Sequence, residues 1–219
     1  MTARNRLFAA MTVGFVLLGM PMAAMGVAWP SAADDLGRTL GELGLVTFAY
    51  GVGYTLSTLA SGDLTRRFTI GPLLVAAALA AAGSLAALGL TSTWTVFLAA
   101  TLLVGVAGGL LDSSVNAYVA VHRGARSMGI IHMGFGIGSA AGPLFVTFLL
   151  TSGASWRIAF ASLGVAELLL AAALAATVSA LDPAKRRTER RPFVDGKGGV
   201  LALSLAVFFL YAGVAAGTG

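Results

Sequence analysis

The chain has 219 residues, of which 58% are hydrophobic and 11% charged, and its mean hydropathy is +0.89. So few charges cannot cover a soluble globule of this length, which predicts an integral membrane protein. The absence of cysteine and of any HExxH spacing excludes disulfides, thiolate sites and ordinary zinc sites, and we expect no metal and no cofactor. The net charge of +5 comes from basic residues between apolar spans, which argues against nucleic acid as a partner.

Apolar segments of membrane-spanning length follow one another along the chain. A spanning helix needs about 20 apolar residues, whereas a barrel would show alternating strands of about ten. Such segments lie near residues 7–29, 43–62, 70–91, 95–120, 129–151, 156–179 and 199–219. They predict an all-α bundle in the lipid bilayer. At the end of the first segment, Trp29 and Pro30 predict an interfacial anchor and a helix stop.

The positions of Lys and Arg predict the orientation in the membrane. Basic residues lie before the first span and in the second, fourth and sixth loops, while the opposite side carries only Arg38 and Arg157. This asymmetry predicts a multi-pass protein of the plasma (inner) membrane with a cytoplasmic N-terminus. The basic sixth loop, residues 181–198, separates a bundle of six spans over residues 1–180 from the start of a further span over residues 199–219.

An aromatic-Gly-aliphatic-Gly pattern occurs twice in the chain. It forms residues 50–53 in the second span and residues 135–138 in the fifth. Because three spans separate the two copies, the second triplet of spans would be inverted relative to the first, as in many secondary transporters. Small-residue packing motifs also recur by chance in glycine-rich bundles, so the pattern alone leaves both interpretations open.

The fourth span carries an acidic residue, Asp112, in an otherwise apolar run. An ionised carboxylate at the bilayer centre costs about 2.5–3.5 kcal/mol on insertion scales, so such a group usually faces a cavity or a partner. Gly105, Gly108, Asp112 and Asn116 recur at helical spacing and form one small, polar stripe that should face the interior. The stripe predicts that Asp112 binds a proton; the alternative is a structural hydrogen bond to a neighbouring helix.

Two further ionisable residues are candidates for the same role. His132 begins the fifth span and would be a polar partner for Asn116 or Asp112, although a histidine near a helix end is as often interfacial. Glu167 lies well inside the sixth span, where an ionisable residue marks a functional site or a buried interhelical contact.

Other functional classes fit the sequence less well. The chain has no GxSxG or HExxH motif, no carboxylates paired at i and i+4 inside a span, and no Gly-rich phosphate loop, which argues against an enzyme. A seven-helix receptor or a structural protein would match the number of spans, but it would not explain the inverted repeat.

The loop between the second and third spans resembles a signature of the major facilitator superfamily. The stretch GDLTRRFTIGPLL follows the family pattern GxLADRxGRR at Gly62, Leu64 and Arg67. Arg66 stands at the aspartate position of that pattern, and Asp63 lies one turn earlier, where it can partly replace the missing charge. The resemblance implies that Gly62, Asp63, Arg66 and Arg67 form the cytoplasmic loop motif of a secondary transporter.

Two other stretches resemble the fucose permease-like branch of that superfamily. They are GGLLDSSVNAYVA in the fourth span and IIHMGFGIGSAAGPL in the fifth. In that branch an acidic residue of span four, followed four positions on by asparagine, is implicated in proton-coupled sugar uptake, and the resemblance assigns this role to Asp112. The first span lacks the acidic residue of some sugar porters in the branch, so drug or metabolite efflux by the same fold is an alternative.

Members of the superfamily have two six-helix halves with the substrate between them. The resemblance therefore implies the N-terminal half of such a fold, with two inverted three-helix repeats, spans one and four central, and spans three and six peripheral. Because the sequence stops within a seventh span, we expect a truncated, inactive product that lacks its C-terminal half; the alternative is a half-transporter that dimerises. The expected partners are a small-molecule substrate, protons, the bilayer and that second half.

Overall fold

The computed structural model describes residues 2–179, which form six long α-helices. They are α1 (Ala3–Asp35), α2 (Leu43–Arg67), α3 (Ile70–Leu90), α4 (Trp94–His122), α5 (Ala125–Thr151) and α6 (Trp156–Ser179), with a 3₁₀ turn at Leu40–Glu42 before α2. All six are long and apolar enough to cross a membrane, which confirms the predicted all-α fold. The predicted linker over 181–198 and the predicted span over 199–219 lie outside the described residues.

Helix α1 continues past the predicted stop at Pro30 and ends at Asp35. Membrane helices tolerate an internal proline because neighbouring helices and local adjustments satisfy the freed backbone groups. Trp29 is also not an interfacial anchor, since it is only 2% exposed and its indole N–H donates to the carbonyl oxygen of Leu40 at 2.9 Å. Both expectations for this dipeptide are therefore wrong.

The six helices pack as an arc in the order α2, α4, α3, α6, α1, α5. Helix α3, near the middle of the arc, is the most buried. Of the 18 most apolar consecutive residues in each helix, 56% are buried in α3, against 17% in α2 and 22% in α5. The alanine-rich sequence of α3 explains this burial, because its small side chains let it pack against both α4 and α6. The expectation that spans three and six are peripheral concerns their place around a cavity between two halves, and it stays a prediction.

This order has the symmetry of an inverted repeat. If α1, α2 and α3 correspond to α4, α5 and α6, the contact of α1 with α5 corresponds to that of α4 with α2. The contact of α1 with α6 likewise corresponds to that of α4 with α3, and the contact of α3 with α6 maps onto itself. The helix packing therefore supports the repeat that the sequence pattern indicated.

Glycines allow α2 and α4 to touch backbone to backbone. A Cβ built at Gly53 of α2 would overlap the carbonyl oxygen of Leu102, and a Cβ built at Gly105 of α4 would overlap the carbonyl oxygen of Tyr50. Each helix thus supplies one glycine to the same crossing. Any side chain at either position would force the two helices apart.

The same reciprocal contact occurs between α1 and α5. A Cβ at Gly138 of α5 would overlap the carbonyl oxygen of Val16, and a Cβ at Gly19 of α1 would overlap the carbonyl oxygen of Phe135. Gly138 ends the second copy of the aromatic-Gly-aliphatic-Gly pattern, as Gly53 ends the first. The two copies therefore carry out the same packing task in the two repeats.

Matching cation–π contacts lie at the two ends of the bundle. Where α1 ends and α4 begins, the guanidinium carbon of Arg38 lies 5.1 Å from the ring centroid of Trp94. Where α4 ends and α1 begins, that of Arg123 lies 4.9 Å from the ring centroid of Phe8. Each such contact contributes about 0.5–1 kcal/mol at an exposed site. The repeat thus also relates the two arginine–aromatic contacts that join α1 and α4, one at each end of the bundle.

A polar cluster around Asp35 joins three helices at the end where α1 terminates. One carboxylate oxygen of Asp35 accepts from the indole N–H of Trp156 at 2.9 Å and pairs with the guanidinium of Arg157. Arg157 also donates to the carbonyl oxygen of Thr91 at 3.1 Å. The cluster fixes the start of α6 against the ends of α1 and α3.

The glycine contacts generate a prediction about stability. We expect Gly138→Ala to lower the free energy of unfolding by about 1–3 kcal/mol, because the added methyl group would overlap the backbone of Val16. Gly136→Ala, two positions away in the same helix, is the matched control, because a Cβ there meets nothing within 4 Å. Thermal or denaturant unfolding in detergent measures both variants, and equal stability of the two would contradict the close contact.

Candidate functional site

Asp112 lies in a partly buried hydrogen-bond network between α2 and α4. The hydroxyl of Tyr54 donates to Asp112 Oδ2 at 2.7 Å, and the side-chain amide of Asn116 donates to Asp112 Oδ1 at 2.8 Å. Both carboxyl oxygens therefore have a partner within the bundle. We call Tyr54, Asp112 and Asn116 the Asp112 network.

The local sequence explains how the network forms. Asn116 lies one helical turn after Asp112 on α4, so the two side chains share a face. Tyr54 reaches across from α2 because Gly105 and Gly109 leave no side chain between α4 and the α2 backbone at Tyr50 and Tyr54. The close helix crossing is therefore what brings the phenol to the carboxyl group.

The chemistry of the network suits a carboxyl group that gains and loses a proton. An ionised aspartate accepts hydrogen bonds only, and Tyr54 and Asn116 both supply donors. A protonated aspartic acid must also donate, and the tyrosine hydroxyl and the asparagine carbonyl oxygen can each accept. The network can thus satisfy either protonation state by turning polar groups, with no change in helix packing.

The structure does not bring His132 into this network. The hydrogen bonds of Asp112 and Asn116 within residues 2–179 are those to each other and to Tyr54. The ring of His132 instead packs edge-on against Phe15, with the centroids 5.6 Å apart, and the residue is exposed. Helix α5 packs mainly on α1, which explains why His132 points toward α1 rather than toward the Asp112 network.

Glu167 lies elsewhere in the bundle. It is 3% exposed and lines a small cavity between the helices whose walls do not include Asp112. The two intramembrane acids therefore occupy different environments: Asp112 has two hydrogen-bond donors, whereas Glu167 faces mostly apolar walls.

The loop motif occupies the last turn of α2. Asp63 and Arg66 form an ion pair one turn apart, and both side chains are substantially exposed. Helix α2 ends at Arg67, and Phe68 is extended, so the chain turns at once toward α3. The predicted proximity of Asp63 and Arg66 is thus present, on an exposed surface where such pairs contribute about 0–1 kcal/mol.

Comparison with known families decides the assignment of the chain. A family model described as Major Facilitator Superfamily matches residues 11–218. The chain belongs to this superfamily. The superfamily is one of secondary transporters, and membership agrees with the six helices of membrane-spanning length that pack as an inverted repeat.

Two curated proteins are similar to this superfamily member. The sodium-dependent glucose transporter 1A of Mus musculus is 25% identical over 137 residues, which are 61% of this chain and 32% of that protein. The tetracenomycin C resistance and export protein of Streptomyces glaucescens is 27% identical over 213 residues, which are 94% of this chain and 38% of that protein. These matches therefore span about a third of the length of each relative.

Tyr54 is a residue of the Asp112 network that was not predicted from the sequence. Hydropathy and charge do not distinguish a tyrosine that packs from one that bonds to a carboxyl group. A usable signal was present, because Tyr50 and Tyr54 lie four residues apart on α2 and flank Gly53, a residue of the repeated pattern. Aromatic residues beside a close helix crossing are well placed to reach the partner helix.

A double-mutant cycle would test the bond between Tyr54 and Asp112 in this superfamily member. We expect Tyr54→Phe and Asp112→Asn to show a coupling energy of about 0.5–2 kcal/mol in unfolding measurements, in the range found for interhelical hydrogen bonds in membranes. Tyr50→Phe combined with Asp112→Asn is the control cycle. Tyr50 packs against the ring of Tyr54, with centroids 5.9 Å apart, and no hydrogen bond joins it to Asp112. Equal coupling in the two cycles would count against the bond.

Proposed function

We propose that this protein is part of a proton-coupled secondary active transporter in which Asp112 carries the coupling proton. The observation that carries the proposal is the Asp112 network itself: an acid within a membrane span, with both oxygens bonded to groups that can donate or accept. Ionisable residues inside membrane spans commonly mark proton and substrate pathways. Membership of the superfamily supports the transport function.

Coupling would follow from the different surroundings of Asp112 in open and closed states. A cavity open to water stabilises the ionised carboxylate, and closure removes that water and favours the neutral acid. Protonation and conformation are then linked, because the proton binds the two states with different affinity. The same stripe carries Gly105 and Gly108, which keep α2 close enough for Tyr54 to accompany the carboxyl group.

A small polar solute such as a sugar is the proposed substrate. The similarity to a protein named as a glucose transporter supports this choice. Efflux of a drug or metabolite is the second candidate, because the similarity to a resistance and export protein extends over 94% of the chain. Within α1, the first acidic residues are Asp34 and Asp35 at its end, so the acid that some sugar porters carry on this span is lacking.

We propose that a second six-helix bundle completes the transport pathway. The ends of the arc, α2 and α5, are the least buried helices. They expose large apolar side chains, which are Leu45, Phe48, Leu56 and Leu59 on α2 and Ile137, Leu144 and Phe148 on α5. A second bundle of this fold would cover part of these faces; a second copy of this chain is the alternative.

The proposed setting is the plasma (inner) membrane with the N-terminus in the cytoplasm. The basic residues support it, since Arg4, Arg6 and Arg123 lie at one end of the bundle and Arg38 and Arg157 at the other. Arg66, Arg67 and Arg126 add to the excess of basic residues at the end that carries the N-terminus, as expected for the cytoplasmic side.

The role of Asp112 can be tested by transport. We expect Asp112→Asn, in the protein assembled with its second bundle in proteoliposomes, to abolish accumulation of a radiolabelled hexose driven by an imposed pH gradient. Exchange of solute at equal concentrations should persist, since it needs no net proton movement. Asp34→Asn, which removes an exposed acid at the end of α1, is the matched control and should retain accumulation.

Two results would count against this role. Accumulation by Asp112→Asn with an unchanged pH profile would make Asp112 structural and direct the search to Glu167. Accumulation that follows a sodium gradient and ignores pH would replace the proton by sodium as the coupling ion.

The need for a second bundle is tested by reconstituting the chain alone. We expect vesicles that contain only this chain to show no saturable hexose uptake, because the faces of α2 and α5 would lack their partner. Addition of a complementary six-helix bundle should restore uptake. Robust saturable uptake by the chain alone, together with a dimer in crosslinking, would favour the dimerising half-transporter.

A further inference from the structure

Glu167 is a buried acid for which the described residues provide no complete set of partners. The residue is 3% exposed, and its Oε2 atom has no hydrogen-bond partner within residues 2–179. Its neighbours Leu168 and Leu169 are exposed on the outer side of α6, so Glu167 lies on the inward side of the helix. An ionised carboxylate in this position would carry a large desolvation cost.

The inward side of Glu167 meets a small cavity of about 20 Å³ between the helices. The walls come from five helices: α1 supplies Leu17, Leu18 and Pro21, α2 supplies Tyr50, and α3, α4 and α6 supply the rest. Apart from Glu167, the titratable residue in these walls is Tyr50; the side chains from α1, α3 and α4 are all non-ionisable. Among residues 2–179, no Lys, Arg or His lines the cavity to balance a carboxylate.

The size and polarity of the cavity suit one water molecule. A water needs about 10–15 Å³ of accessible space and two or more polar partners. Glu167 offers the unpartnered oxygen, and the Tyr50 hydroxyl lies beside Gly108, which also lines the cavity. A neutral carboxylic acid and a phenol can both donate to such a water and accept from it.

We propose that Glu167 and this cavity form a second proton-binding site, in which the neutral acid shares one water molecule with Tyr50. The ring of Tyr50 contacts that of Tyr54, with centroids 5.9 Å apart, and Tyr54 bonds to Asp112. The site therefore adjoins the Asp112 network without sharing a residue with it. Its existence does not depend on which ion drives transport or on which solute is carried.

Infrared spectroscopy of the protein in lipid nanodiscs at neutral pH tests the site directly, with the spectrum of isotope-labelled protein subtracted from that of unlabelled protein. We expect a carbonyl-stretch band from a protonated carboxylic acid that shifts when the glutamates carry ¹³C in their carboxyl groups. The sequence has three glutamates, Glu42, Glu167 and Glu189, and the band should disappear in Glu167→Gln. It should persist in Asp112→Asn, the matched control within the membrane. A band that survives in Glu167→Gln, or its absence from the labelled parent protein, would overturn the proposal.

The shared water has its own test. We expect Tyr50→Phe to retain the Glu167 band but to shift its frequency, because one hydrogen-bond partner of the water is lost. An unshifted band would overturn the link to Tyr50. Should Glu167→Gln fail to fold, Glu167→Leu provides a second variant, since an apolar residue of similar volume is often tolerated where a buried charged or polar group is removed. The isotope shift in the parent protein needs no substitution at all.

Discussion

The structure depends on two matching glycine contacts, each of which brings a helix backbone of one repeat close to a helix backbone of the other. Helices in lipid gain little from burying apolar surface against each other, so close packing and polar contacts must hold them together. Gly53 and Gly105 allow this approach between α2 and α4, and Gly138 and Gly19 allow it between α1 and α5. The two outer pairs of the arc, α2 with α4 and α1 with α5, follow from these contacts.

The repeat is preserved in packing but not in polarity. Matching the glycines of the two crossings places Gly26 at the position equivalent to Asp112, and Ser139 at the position equivalent to Tyr54. The bonded carboxyl group thus occurs on one side of the bundle only. Both crossings must hold two helices together, so both keep their glycines. The hydrogen bonds to a carboxyl group belong to the crossing of α2 with α4.

The sequence predicted the elements better than their arrangement. Span positions follow from hydropathy and from breaks such as Gly124 and Gly153, whose φ angles of 85° and 80° favour glycine. Asp112 and Asn116 could be placed on one face because helical spacing is local. The Tyr54 bond could not be predicted, because it depends on how two helices cross. The helix stop predicted at Pro30 is wrong for a related reason, since neighbouring helices can keep a helix intact through a proline.

The paired arginine–aromatic contacts at the two ends of the bundle have a mechanical consequence. Arg38 on Trp94 and Arg123 on Phe8 join α1 and α4 at opposite surfaces, so sliding one helix along the other would disturb both contacts at once. The Asp35 cluster adds α3 and α6 to the same unit at one surface. These contacts oppose movement of α1, α3, α4 and α6 relative to one another, so a motion of the whole bundle would disturb fewer of them than a motion within it.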